Sequence, residues 1–134
     1  MENKEQNIWK TVEATQEGLI EGVTSVGLRI REKSIFVALP SVKALWRIVA
    51  VKYEDKFYLA PVLDVGPWNE GDDAYVFGEA RPRSEQGIGK YRTPTNDAGI
   101  DLSDGLISLM GIEPRNWGKR EVSWRFVSPS DFKT

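Results

Sequence analysis

Residues 46–63 constrain the fold of this chain more than any other stretch. Trp46-Arg-Ile-Val-Ala-Val-Lys-Tyr53 and Lys56-Phe-Tyr-Leu-Ala-Pro-Val-Leu63 are two β-prone runs on either side of Glu54-Asp55, the pattern of a hairpin. Apolar residues fall on both faces of each run, as expected when one face lines a barrel interior and the other is covered. Pro61 removes a ladder donor from the second run and marks an edge, a bulge or a crossover point. Ile35-Phe-Val-Ala-Leu39, closed by Pro40, reads as a buried strand. Glu121–Val127 alternates, with Val122, Trp124 and Phe126 on one face and Glu121, Ser123 and Arg125 on the other. Of the tryptophans in these runs, Trp46 and Trp124 are assigned to packing.

One segment reads as a short helix. Ser103 is placed as its N-cap, Asp104 lies in the first turn and Gly111 closes it. Residues 1–17 are polar and rich in helix formers, and are read as an arm or short helix docked through Ile8, Trp9 and Val12. Residues 18–134 form the β domain. Between Asn69 and Ala98 the chain is charged, Gly-rich and weakly periodic; connections longer than about 12–15 residues in a compact domain tend to be functional or disordered.

The residue types that are missing prune the chemistry. With no Cys there is no disulfide framework or thiolate nucleophile, and with no His there is no Ser-His-Asp triad or imidazole ligand. Proton transfer must use carboxylates, Lys, Tyr or water. No metal site and no cofactor are expected. A net charge of −2 supplies no field for nucleic acid, and no run is apolar enough for membrane insertion. The N-terminus has no apolar leader segment, so the expected location is the cell envelope or extracellular space if a targeting segment was removed, and otherwise the cytoplasm.

Two motifs place an aspartate where regular structure gives way to a turn or helix start: Asp64-Val-Gly-Pro-Trp68 and Gly99-Ile-Asp-Leu-Ser103. With Thr24-Ser-Val-Gly27, Leu39-Pro40, the hairpin and the final strand, their order resembles the double-psi β-barrel of the rare-lipoprotein-A, expansin and family-45 glycoside hydrolase group, over about residues 20–127. The resemblance implies an all-β fold, a six-stranded double-psi barrel with one short helix after Ser103; the long loop insertion at 69–98 departs from it, standing where that group usually has a brief connection. The enzymes of that group often carry a Glu and a His where this chain has Leu28 and Phe36.

The resemblance also implies a cell-wall glycan-active protein binding a peptidoglycan-like polysaccharide. Asp101 and Asp64 are its catalytic candidates, and Trp68, Asn69, Thr24, Tyr75, Tyr91 and Arg92 its substrate-binding candidates. Asp101 either donates a proton as in a lytic transglycosylase, or ties the turn before the helix by accepting N–H groups. Asp64 either assists or closes an Asx-type turn ahead of Gly-Pro. The alternative function is a non-catalytic glycan-binding or assembly module that keeps the groove without turnover.

Overall fold

A computed structural model describes residues 8–87 and 95–128. Six strands close on themselves: β1 (Lys10–Gln16), β2 (Val37–Leu39), β3 (Ile48–Tyr53), β4 (Lys56–Val65), β5 (Ala98–Leu102) and β6 (Lys119–Phe126), in the spatial order β1-β5-β2-β4-β3-β6. The β1–β5 and β2–β4 pairs are parallel and the other four are antiparallel. This mixed closed barrel is the double-psi β-barrel implied by the motif order. Closure removes the free edges that a six-stranded sheet would otherwise expose.

Residues 10–16 correct the expected N-terminal arm. They form β1, which pairs with β5 and β6, because Val12 and Ala14 alternate into the core between polar neighbours. A helical period would scatter those two apolar side chains around an axis; a strand puts both inside.

The hairpin forms as expected, with Glu54 and Asp55 at φ +50° and +65°, the left-handed pair of a two-residue turn matched to strand twist. Pro61 stands opposite Ile48 at the end of the β3 ladder, and the next residue, Val62, pairs with Val37 of β2. The proline thus marks the point where β4 exchanges one partner strand for another.

Inside the barrel, Val122, Trp124 and Phe126 meet Val12, Val37, Val49, Val62 and Ile100. Buried tryptophans need a partner for the indole N–H. Trp117 Nε1 donates to Ala14 O at 2.9 Å, and Trp124 Nε1 donates to Tyr75 Oη at 2.7 Å. Trp46 is a second correction: it is 65% exposed at φ +73°, turned out of the core where the chain enters β3.

Among the described residues two short α-helices accompany the barrel, where the sequence predicts one after Ser103 and an arm or short helix over residues 1–17. α1 (Asp73–Val76) lies in the 69–98 insertion, and α2 (Asp104–Leu109) follows Ser103 as expected. Ser103 Oγ accepts the N–H of Leu106 and also that of Phe36, so one hydroxyl caps α2 and fixes the approach to β2. Gly105 lets α2 sit on residues 33–34; a Cβ there would lie 2.3 Å from Ser34 O. Among the described residues no helix is long and apolar enough to cross a membrane.

Candidate functional site

The site grows from one row of residues across four strands. Thr15 of β1 stands opposite Asp101 of β5, Asp101 opposite Ala38 of β2, and Ala38 opposite Asp64 of β4. The flanking residues Val37, Leu39, Ile100 and Leu102 belong to the core, so this row points away from it. Ala38, with the smallest side chain of the four, leaves room between the two aspartates.

Asp64 reaches this face through a bulge. Val62 is in the core, and simple alternation would send Asp64 inward too. The β2–β4 register slips between Val37 and Ala38, so that Val37 faces Val62 but Ala38 faces Asp64. The extra residue re-aims the carboxylate outward.

Asp64 is then firmly held. Its Oδ1 accepts the Ser25 N–H at 2.9 Å, the Ser25 hydroxyl at 2.6 Å and the Val65 N–H at 3.0 Å. Burial alone would raise its pKa, but the hydrogen bonds from Glu17, Ser25 and Val65 outweigh burial and hold it below the ordinary value.

Asp101 behaves in the opposite way. Burial pushes its carboxyl up to about 7, a shift opposed by the Thr15 hydroxyl and assisted by the negative charge of Asp64. Thr15 Oγ1 donates to Oδ1 at 2.5 Å, and a hydrogen bond from Glu17 likewise works against the rise. Gly66, at φ +144°, passes beside the other carboxyl oxygen; a Cβ there would lie 3.6 Å from Oδ2.

A third carboxyl, which the sequence reading missed, completes the group. Glu17 directly follows β1, where its N–H bonds Leu102 O at 2.8 Å. Its Oε2 is buried without a conventional hydrogen-bond partner, and its side chain faces Asp64 and Asp101. Burial is the main reason its pKa rises to about 10, and the two neighbouring carboxyls add to it. At neutral pH Glu17 therefore holds a proton and donates it toward ionised Asp64, the sharing expected when carboxyls crowd one site.

Asp101 opens onto a groove of about 320 Å³ lined also by Thr15, Gln16, Pro67, Trp68 and Asn96. Trp68 is 40% exposed, and its indole Nε1 donates to Asn96 Oδ1 at 2.8 Å, which fixes the ring at the rim. Of the sequence candidates, the groove thus brings together Asp101 and Trp68, with Asp64 behind Asp101. Thr24 is buried in the turn that delivers Ser25, where its Oγ1 accepts the Leu28 N–H. Asn69 is buried beside Pro67, to whose carbonyl its N–H bonds.

Tyr75 leaves the substrate-binding set. It is 1% exposed, and its hydroxyl is used up between Trp124 Nε1 and Gly99 O. Tyr91 and Arg92 lie outside the described residues. Thr15, Gln16 and Asn96 carry no motif in the sequence; only the parallel β1–β5 pairing, which no local pattern encodes, puts the first two beside Asp101.

Comparison with known proteins now adds the family and the fold. A family model described as Domain of unknown function (DUF8814) matches residues 8–87. No curated protein sequence matches the chain. Among solved structures, it is similar to the Streptomyces papain inhibitor, at 18% identity and TM-score 0.55 over 90% of this chain and 96% of that one. It is also similar to a Clavibacter michiganensis expansin. A point mutant in complex with cellohexaose matches at 14% identity and TM-score 0.56, over 90% of this chain and 51% of that one. The apo form matches at 16% identity and TM-score 0.56, over 91% and 52%. The chain spans about half the length of the expansin. At these identities the likeness is one of fold.

Proposed function

We propose that this chain, which belongs to the family described as Domain of unknown function (DUF8814), is a cell-wall glycan-active barrel whose groove beside Asp101 holds the sugar chain. One observation carries the reading: an aspartate on the wall of an open groove, below an exposed indole, has its carboxyl pushed up to about 7. A carboxyl that titrates near neutrality can give and take a proton at the same pH. Trp68 offers a flat apolar face to the C–H side of a pyranose, and Gln16 and Asn96 offer amide groups for its hydroxyls. The cellohexaose held by the expansin neighbour supports a glycan as the ligand.

The chemistry that fits best is a single-acid route, that of a lytic transglycosylase acting on peptidoglycan. Asp101 gives its proton to the glycosidic oxygen as the bond from that oxygen to C1 breaks. The resulting carboxylate then takes the proton of the sugar's own C6 hydroxyl as that oxygen closes on C1. The product is a 1,6-anhydro sugar, Asp101 ends protonated, and no water is consumed. Asp64 does not line the groove and its Oδ1 already accepts three donors, so it is assigned to setting the charge beside Asp101 rather than to activating water.

A second reading, the non-catalytic glycan-binding module, is favoured by one feature. At the position where rare-lipoprotein-A-like enzymes often carry a His, Phe36 is 1% exposed and brings no proton-transfer group to the groove.

Incubating the purified protein with peptidoglycan sacculi and analysing the soluble products by mass spectrometry separates the two. Anhydro-sugar products that vanish in Asp101→Asn, with sacculus pull-down retained, support the enzyme. Pull-down without products supports the binding module, and the absence of both products and pull-down overturns the glycan reading.

A further inference from the structure

We propose that the glycan beside Asp101 continues past Gln16 into a second cleft, which admits neutral or amine-bearing sugars and turns away those with a free carboxylate on every ring. This rests on the glycan reading above and adds the chemical class of the polymer.

Gln16, the last residue of β1, lines both spaces. On one side is the Asp101 groove; on the other is a cleft of about 290 Å³ whose lining includes Ile20, Glu32, Asp104, Glu113, Pro114 and Arg115. Gln16 Nε2 donates to Asp104 Oδ1 at 2.8 Å, which fixes the carboxamide as the wall common to the two. Each space alone is at the small end of ligand pockets. A polymer passing from one to the other fills both, whereas a single sugar fills neither completely.

The second cleft has a distinct chemistry. Ile20 and Pro114 give it apolar surface for the ring faces of a sugar. Three carboxylates, Glu32, Asp104 and Glu113, outnumber the one cation, Arg115. Glu32 and Glu113 are exposed, so their charges meet an incoming ligand directly. Ionised Asp64 adds charge of the same sign behind the first space. Like charges brought together at an interface reject wrong partners more effectively than opposite charges add affinity. A polyuronate would place a carboxylate on every ring in this field, while a neutral glycan or a glucosamine polymer would not.

The experiment is calorimetric titration of the full chain with hexamers of glucose (cellohexaose), glucosamine and galacturonate, together with cellotriose. Cellohexaose and the glucosamine hexamer are expected to bind, with the galacturonate hexamer weaker by about tenfold or more. Cellotriose is expected to bind more weakly than cellohexaose. In the Glu32→Gln, Glu113→Gln double variant the ratio of cellohexaose affinity to galacturonate affinity is expected to shrink to about threefold or less. Equal binding of galacturonate and cellohexaose overturns the charge selection, as does a penalty that the double variant leaves intact. Equal binding of cellotriose and cellohexaose overturns the two-cleft path. Each of these leaves the glycan reading standing; failure of all four sugars to bind removes that reading and this inference together.

Discussion

Glu17→Gln should stabilise the protein, and by an amount that grows with pH. In the unfolded chain Glu17 ionises near its ordinary 4.5, whereas in the fold burial, followed by the neighbouring Asp64 and Asp101, raises it to about 10. The folded state therefore binds a proton that the unfolded state gives up above pH 4.5. For a carboxyl raised on folding, its contribution is complete below the unfolded pKa and is lost as pH climbs toward the folded one. Each pH unit in that window costs about 1.4 kcal/mol, so the rise from pH 5 to pH 8 removes about 4 kcal/mol. That is a large share of the roughly 5–15 kcal/mol that holds a domain together.

Asp101, raised to about 7 from 3.8, adds a loss of the same sign up to neutrality. Asp64, lowered from 3.8, contributes stability that disappears only at more acid pH, below this window. Glutamine keeps the shape of Glu17 and an N–H donor toward Asp64, but does not titrate. Urea unfolding at pH 5 and pH 8 with unchanged m-values is the assay. The variant and wild type should lie within about 1 kcal/mol at pH 5, and the variant should lead by about 4 kcal/mol at pH 8. Parallel pH profiles for the two proteins would refute the assignment of a buried proton to Glu17.

Three other outcomes are expected. Gly105→Ala should destabilise the fold by about 2–3 kcal/mol, although helix propensity alone favours Ala by about 1 kcal/mol, because the new Cβ meets Ser34 O at 2.3 Å and Lys33 C at 2.6 Å; a rise in melting temperature would contradict this. Gly66→Ala should cost about 1–3 kcal/mol from its φ of +144° and, by placing a methyl 3.6 Å from Asp101 Oδ2, move the Asp101 titration upward in carboxyl-carbon NMR; an unmoved or lowered midpoint counts against the position given to Oδ2. Trp68→Ala should leave the fold intact and weaken cellohexaose binding about tenfold, or about 1.4 kcal/mol, by calorimetry; undiminished affinity would remove the indole from the site.

The sequence makes the barrel legible where local chemistry and global fold agree. Glu54-Asp55, the alternation of Val122, Trp124 and Phe126, and the Ser103 cap each act within a few residues, and each forms as expected. It misleads where tertiary pairing overrides local propensity: β1 was hidden because Thr11, Glu13 and Thr15 alternate with Lys10, Val12, Ala14 and Gln16, too polar a run to stand out. Trp46 and Tyr75 exchange roles for a similar reason. Hydrophobic size says that an aromatic wants burial, but only chain direction decides which one gets it. The two aspartates could be read because turn motifs mark them. Glu17 could not, since it acquires its meaning from a parallel pairing to residues more than eighty positions away and from a bulge that redirects Asp64.

The phenol of Tyr75, lodged between Trp124 and Gly99, has a consequence for how a guest would enter. It rivets the segment that follows Trp68 to the centre of the molecule, and Ser41, bridged to Gly71, adds a second fastening. Lifting the described part of that segment would mean unseating an aromatic side chain from the interior, at a large share of the free energy of unfolding. The amides of α1 should accordingly exchange with solvent on the same clock as those of β6. On the glycan reading, a sugar chain would meet a preset surface where this segment lines the cleft, with a rate set by diffusion and orientation.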